Sequence, residues 1–394
     1  MKIERVTAIP VRIPRDLGAG TGTAGSPAKL VGTQAYRRAE HYSTVYSSCI
    51  ETTLVEIATD SGLTGFGEAQ SPVAPEVSAT IIETLLGPMI TGEDALAPER
   101  LWDLMYSAMR VRGHSGGFYL DAIAGIDIAI WDLCGKAFHQ PVYRLLGGPC
   151  RTAVPYYVSG LAGATREDRV EYAVRLIEQG ATAFKLFLDA SMPECLSVID
   201  GILRSAPSAP ALYVDALWRL QVPEGLRFAQ ELAARGVEWL EAPLAPEDVA
   251  GHAQLARSTG IAIAIGESYR TRFELLPFFE QRALHIVQPD LGRTGITEAR
   301  RIASVAGAFH VSVAPHVSIG LGPQIGAALH FAAACPNLRI LECNPKVYEV
   351  ANRFLREPLS LTPATLAPPE RPGLGVQPNM HALEPFVVKK GTAL

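Results

Sequence analysis

The sequence predicts an α/β chain in which a barrel of eight parallel strands follows a smaller α+β domain. Three observations predict it. From residue 153 onward, short apolar runs alternate with amphipathic helical stretches. The runs number eight with seven helical stretches between them, which implies right-handed crossovers and a parallel sheet wide enough to close on itself. The later runs also end in polar residues at a steady interval. Asp215 to Glu241 is 26 residues, Glu241 to Glu267 is 26, Glu267 to Asp290 is 23, Asp290 to His316 is 26, and His316 to Glu342 is 26.

In chain order, Ile3 to Pro14 alternates as a strand does, with Val6, Ala8, Val11 and Ile13 marking one pattern. Gly18 to Pro27 is a glycine-rich stretch too long for a tight turn, and loops of this length commonly act as lids or stay disordered. Glu51 to Thr59 alternates again, Asp60-Ser61-Gly62 turns the chain, and Leu63 to Glu68 returns as the second arm of a hairpin. Residues 77–136 carry helical periodicity and end in the apolar stretch Ala122 to Leu133, so sheet precedes helix in an α+β domain. The barrel runs are Val154–Ser159, Ala183–Leu188, Ala211–Asp215, Val237–Glu241, Ile261–Glu267, Ala283–Gln288, Val311–Pro315 and Arg339–Glu342. The intervening helices include Arg166–Gln179, Glu224–Arg235, Glu298–Phe309 and Gln324–Ala334. The remainder is proline-rich with one late apolar patch, Phe386-Val387-Val388, expected to return to the first domain. The expected division is a capping domain over 1–128, a barrel over 129–348 and a returning tail over 349–394.

Composition narrows the function classes. The chain has 394 residues, 48% of them hydrophobic, which is ample for a large core and excludes a disordered chain or a disulfide-stapled miniprotein. With 35 basic against 40 acidic residues the net charge is −5, which carries no electrostatic signature for nucleic acid or an anionic membrane. The six cysteines are dispersed with no CxxC pair, so they read as reduced, buried small hydrophobes. The N-terminus has no apolar core of a signal peptide, and no apolar run reaches the roughly 18 residues of a membrane span. A cytoplasmic protein with a small-molecule partner is expected.

The periodic polar residues carry the chemistry. One strand–loop–helix–loop unit takes about 26 residues, so the spacing places one polar residue at the C-terminal end of each of six successive strands, where a barrel builds its active site. A single acid there is an ordinary helix cap or surface charge, but capping does not require acids to recur in phase. Asp215, Glu241 and Glu267 end three consecutive strands, and three converging carboxylates without compensating cations call for a hard divalent cation. An all-oxygen set favours Mg²⁺ over zinc. Asp290 and His316 end neighbouring strands, and a carboxylate beside an imidazole fixes its tautomer and raises its proton affinity, as a general base needs. Lys185 lies across the mouth, flanked by apolar residues, where an ammonium can bind a carboxylate or act as acid or base. Glu342, ending the last strand, can donate a hydrogen bond when protonated, a form that a neighbouring carboxylate and an oxyanion favour.

With these residues assembled, the chain resembles the enolase superfamily and, within it, the mandelate racemase subgroup. The resemblance runs along nearly the whole length. It includes the hairpin Asp60 to Glu68, the run Ile126 to Lys136, and Pro141 to Gly148. Asp215, Glu241 in Glu-Ala-Pro-Leu, and Glu267 in Gly-Glu resemble the family's three metal ligands. Asp290 in Gln-Pro-Asp and His316 resemble its His–Asp dyad, and Glu342 its enolate-stabilising acid, while Asp127 and Asp132 match a structural motif. The resemblance implies a modified (β/α)7β TIM barrel with an α+β capping domain made from both termini. It also implies Mg²⁺ and chemistry that begins with loss of the proton α to a carboxylate, the charge that forms being stabilised electrostatically by the divalent ion. An assembly of identical subunits is expected as well.

Two departures from the family pattern sharpen this. Where relatives carry Lys-x-Lys on the second strand, this chain has Lys185-Leu186-Phe187, so one base is missing and His316 on the opposite face remains. Racemisation normally uses bases on both faces, whereas dehydration needs one. Leu217 stands where relatives often place a polar Asn near the substrate. The expectation is a Mg²⁺-dependent sugar-acid dehydratase, with a racemase, epimerase or lactone cycloisomerase as the nearest rival. A barrel retaining the metal site only for structure or binding is a further alternative, opposed by the presence of both His316 and Asp290. The glycine-rich loop and the segment with His41, Tyr42 and Tyr46 are expected to cover the mouth and contact substrate.

Overall fold

A computed structural model describes residues 1–15, 30–32, 36–39 and 44–388. His41, Tyr42 and the glycine-rich stretch lie outside the described residues. The first domain begins with strand β1 (Ile3–Pro14), followed by a small antiparallel sheet of β2 (Leu30–Gly32), β3 (Tyr36–Ala39) and β4 (Val45–Ser47). Strands β5 (Cys49–Thr59) and β6 (Thr64–Ala69) form the expected hairpin, and β1 pairs antiparallel along β5. The helix Gly117–Ala137 crosses this sheet closely enough that a Cβ on Gly67 would lie 1.9 Å from the carbonyl oxygen of Gly125. Glycine at 67 is therefore what allows the approach.

The expected boundary at 128/129 falls inside this helix, and that at 348/349 inside the helix Pro345–Arg353. The first helix serves both domains. Its outer turns cover the hairpin, while Asp127 accepts hydrogen bonds from Thr297 N (2.9 Å) and Oγ1 (2.5 Å), and Trp131 Nε1 donates to Thr297 Oγ1 (2.9 Å). Asp132 gathers three segments: it accepts from Phe66 N (2.8 Å), Leu374 N (2.8 Å) and Lys136 Nζ (2.6 Å).

The barrel strands are β7 (Val154–Ser159), β8 (Ala183–Phe187), β9 (Ala211–Asp215), β10 (Trp239–Glu241), β11 (Ala262–Ile265), β12 (Ile286–Val287), β13 (Ser312–Val313) and β14 (Leu341–Cys343). They pair parallel in the order β13-β12-β11-β10-β9-β8-β7-β14. The circle closes between β13 and β14, where Arg339 N donates to Val313 O (2.7 Å) and Glu342 N to Pro315 O (3.2 Å). Among the described residues, one helix lies between each successive pair, from Arg166–Glu178 to Pro323–Ala334. Side-chain caps start several of them. Thr165 and Asp168 form a reciprocal capping box, as do Thr271 and Glu274, and Asp290 caps the helix Leu291–Ala308.

Strand pleating sorts the barrel interior into layers. Tyr157, Ala183, Tyr213, Trp239, Ala264, Ile286, Ala314 and Ile340 point inward as an apolar floor, with Tyr213 and Trp239 stacked at 3.4 Å between ring centroids. Two residues further along their strands stand Ser159, Lys185, Asp215, Glu241, Gln288, His316 and Glu342. The period of two thus puts the polar groups directly above the floor, at the mouth. The tail (beyond residue 353) first pairs with the barrel, strand β15 (Thr365–Leu366) running antiparallel to β7, and then returns to the cap, where Val388 N donates to Pro10 O (2.9 Å); Phe386 packs edge-on against Phe354 within the tail. No helix among the described residues is long and apolar enough to cross a membrane.

Candidate active site

The six phased residues converge. Asp290 and His316 form a parallel bridge between adjacent strand ends, and His316 Nδ1 is 2.6 Å from Asp290 Oδ2. The other oxygen of Asp290 accepts from Gly292 N (2.8 Å), which fixes the carboxylate as the first cap of its helix. His316 Nε2 faces the cavity, 3.0 Å from Glu267 Oε2 and 3.8 Å from Glu342 Oε2. Burial alone would lower the imidazole's proton affinity; Glu342, Glu267 and the hydrogen bond to Asp290 raise it well above the ordinary value.

Lys185 is fully buried beneath this pair. Its Nζ donates to Glu241 Oε1 (2.6 Å) and forms ion pairs with Glu342 Oε1 (3.0 Å) and Asp215 Oδ2 (3.7 Å). The sequence-based picture of carboxylates lacking a compensating cation is corrected here, because the strand pleat turns Lys185 inward among them. Three acids raise the lysine's proton affinity well above normal against the penalty of burial. Burial would raise the pKa of Glu342, but the charges of Lys185 and His316 hold it below the usual carboxylate value. Val317 N donates to it (3.1 Å).

Whether these residues suit a metal follows from their chemistry. Among the described residues, no three His, Cys, Asp or Glu side chains are already placed as a coordination shell; the ammonium of Lys185 lies between Asp215 and Glu241 instead. Burial and mutual repulsion of the acids nonetheless leave a shortage of positive charge. Asp215 is pushed well above the carboxylate range by burial and by the charge of Glu241, and Glu241 is raised by burial despite Lys185. Buried acids driven toward neutrality, offering only oxygen, on three adjacent strands, fit a hard divalent cation. Glu267, by contrast, is held low by the charge of His316 in spite of its burial, and accepts from Trp218 Nε1 (2.9 Å).

The backbone around these acids is strained. Leu217 and Trp218 adopt φ of 55° and 58°, and Ala242 a φ of 43°, each in the left-handed region. Non-glycine residues there cost roughly 1–3 kcal/mol each and cluster at functional sites. The turn lets Leu217 N donate to Asp215 Oδ1 (2.8 Å), so at this position the backbone, and not a polar side chain, contacts the acid.

Above the floor lies a cavity of about 300 Å³ whose wall includes Asp215, Glu267, His316 and Glu342 from the barrel, and Tyr46, Ser47 and Glu51 from the cap. Tyr46 is therefore at the mouth, as expected. Phe187 and Leu217 also line it, placing both departures from the family pattern beside any ligand. Sequence reasoning missed Arg15, Ser159, Gln288 and Arg293. Ser159 had a signal, since it precedes Lys185 by the same 26-residue interval. Gln288, whose Nε2 donates to Glu241 Oε2 (2.7 Å), sits two residues before Asp290. The two arginines had none.

Comparison with known proteins agrees with this architecture. The mandelate racemase / muconate lactonizing enzyme N-terminal domain matches residues 34–147, and the enolase C-terminal domain-like family matches residues 168–382. A D-galactarolactone cycloisomerase from Agrobacterium fabrum is 33% identical over 346 residues, covering 84% of this chain and 90% of that protein. A D-galactonate dehydratase from Variovorax paradoxus is 36% identical over 285 residues, covering 68% and 71%. Among solved structures, a member of the enolase superfamily from Agrobacterium tumefaciens superposes with a TM-score of 0.92 at 30% identity, over 97% of this chain and 98% of that one. A racemase from Streptomyces coelicolor A3(2), solved with bound magnesium, gives 0.82 at 26% identity over 98% and 100%. Matched in both domains and along most of its length, the chain belongs to the mandelate racemase subgroup of the enolase superfamily, a family of enzymes.

Proposed function

We propose that the enzyme dehydrates a sugar acid, removing the proton α to the carboxylate and the β-hydroxyl to give a 2-keto-3-deoxy acid. The single observation that carries this reading is the asymmetry of the mouth. His316 presents Nε2 to the cavity with Asp290 behind it, while the residue two beyond Lys185 is Phe187. Lys185 is read as the fixed cation of the site and not as a second base, since its ammonium is already held by Glu241 (2.6 Å), Glu342 (3.0 Å) and Asp215 (3.7 Å).

Asp215, Glu241 and Glu267 would hold a divalent cation, which when bound supplies positive charge to a substrate carboxylate. The chain's own groups do the rest. Once Nε2 is released from Glu267 and has given up its proton, the neutral His316 takes the C2 proton, and Asp290 holds the ring and balances the imidazolium that forms. The Lys185 ammonium, positioned by Glu241 and Glu342, stabilises the charge that develops on the carboxylate oxygens. His316 then returns its proton to the departing 3-hydroxyl, so one group serves both halves of the elimination. The D-galactonate dehydratase of Variovorax paradoxus supports this reading. A lactone cycloisomerase is the second reading, supported by the Agrobacterium fabrum relative. Assaying aldonic and aldaric acids and their lactones with Mg²⁺ separates the two. Keto-acid product from an open-chain acid is expected; turnover of lactones alone sinks the dehydratase.

A further inference from the structure

Each carboxylate on the cavity wall faces a cation. Glu51 is paired with Arg12 (2.9 Å), Glu342 and Asp215 with Lys185, and Glu267 with His316. Arg293 lines the same cavity, yet its guanidinium makes no ion pair or hydrogen bond with a described residue, and its Nε is buried without a partner. Asp121, whose charge it feels, is already held through both oxygens by Arg270 (3.0 and 3.1 Å). A largely buried cation without an anion is costly unless a ligand supplies one.

The position of Arg293 is fixed by its surroundings. It sits in the first turn of the helix capped by Asp290, and its own N–H donates to Asp290 O (3.0 Å). The preceding residue, Gly292, accepts from Gln70 N of the cap (2.9 Å), so the turn is pinned between barrel and cap. Arg15 reaches the cavity from the cap, with Nε donating to Ser47 O (3.1 Å). Of the other cap residues on the wall, Glu51 is charged but paired with Arg12, and the rest, such as Val45, Tyr46 and Pro72, are uncharged.

We propose that Arg293 is a specificity residue that binds a second carboxylate, making the preferred substrate a sugar diacid and not a monoacid. This rests on the reading above, in which the first carboxylate lies at the floor near Lys185. A guanidinium matches a carboxylate through two parallel N–H···O bonds, whereas a terminal hydroxyl would leave its charge unpaired.

Two arms test it on Mg²⁺-loaded enzyme. In the binding arm, glutarate is compared by calorimetry with 5-hydroxypentanoate, which has a hydroxymethyl group in place of one carboxylate. Wild type is expected to favour the diacid by about tenfold or more, and Arg293→Met or Arg293→Gln to abolish that preference. In the turnover arm, kcat/KM for an aldarate falls about 100-fold in Arg293→Met, while that for the matching aldonate changes only a few-fold. Equal affinity of wild type for the two acids, or equal losses on aldarate and aldonate, overturns the proposal. If no sugar acid is turned over, the dehydratase reading fails while the binding arm still decides the role of Arg293. The wild-type comparison needs no variant to fold.

Discussion

His316 Nδ1 lies 2.6 Å from Asp290 Oδ2, and the same two residues are also bridged through their backbones. Strand register and carboxylate therefore fix the imidazole together, leaving Nε2 as its working atom. Replacing Asp290 with Asn keeps the register but removes the charge that holds the tautomer. Asp290→Asn is expected to lower kcat by about 10²-fold or more with KM changed only a few-fold, as steady-state kinetics will show. A loss confined to KM contradicts the assignment.

Lys185 is the shared cation of Glu241, Glu342 and Asp215. Lys185→Met leaves those carboxylates buried against one another. Without metal the variant is expected to lose about 3–5 kcal/mol in denaturant unfolding, the usual cost of breaking a buried pair. Added Mg²⁺ is expected to raise its Tm more than that of wild type, because a divalent ion replaces the missing charge. Equal Mg²⁺ responses would count against the metal ligands named above.

Asp132 accepts hydrogen bonds from the hairpin (Phe66 N), its own helix (Lys136 Nζ) and the tail (Leu374 N). Asp132→Ala strands two buried backbone donors and the lysine. A stability loss of roughly 3 kcal/mol or more is expected, with limited proteolysis cutting first in the tail.

Much of this was legible because a barrel converts sequence phase into spatial proximity. Asp215 and Glu241, or Asp290 and His316, are neighbours because one strand–helix unit takes 26 residues. The eight strands lie within or close to the runs read from apolar content, and the patch Phe386-Val387-Val388 returns to Pro10 and Val11 as expected. Depth was not legible. Nothing local tells that Lys185 turns inward among acids, because its environment is built by strands up to 157 residues away at Glu342. Arg293 looks like any basic residue in a first helical turn; its isolation depends on Arg270 having already claimed Asp121. Leu217 and Trp218 carry no sequence mark of their left-handed backbone.

His330 supplies a pH signature. It is buried and stacked on Tyr143; Tyr143 N donates to Nδ1 (3.3 Å) and Nε2 donates to Leu374 O (2.9 Å), which requires the neutral ring. Burial lowers its pKa from 6.5 to about 4. The folded state thus binds this proton less readily than the unfolded chain. Its contribution to stability is complete above pH 6.5 and is lost as pH falls toward 4, by about 3 kcal/mol in all. Denaturant unfolding at pH 7 and 4.5 should show a smaller acid-induced loss in His330→Gln than in wild type; parallel losses contradict it.

The central claim is that one base, His316, both removes the α-proton and assists loss of the β-hydroxyl. The most direct measurement follows a turned-over sugar acid by NMR in D₂O with Mg²⁺, for wild type and His316→Asn. The account predicts 2-keto-3-deoxy acid carrying deuterium at C3, no C2 epimer, and loss of product in the variant. Deuterium entering C2 of recovered substrate together with its epimer, or turnover unchanged in His316→Asn, would contradict it.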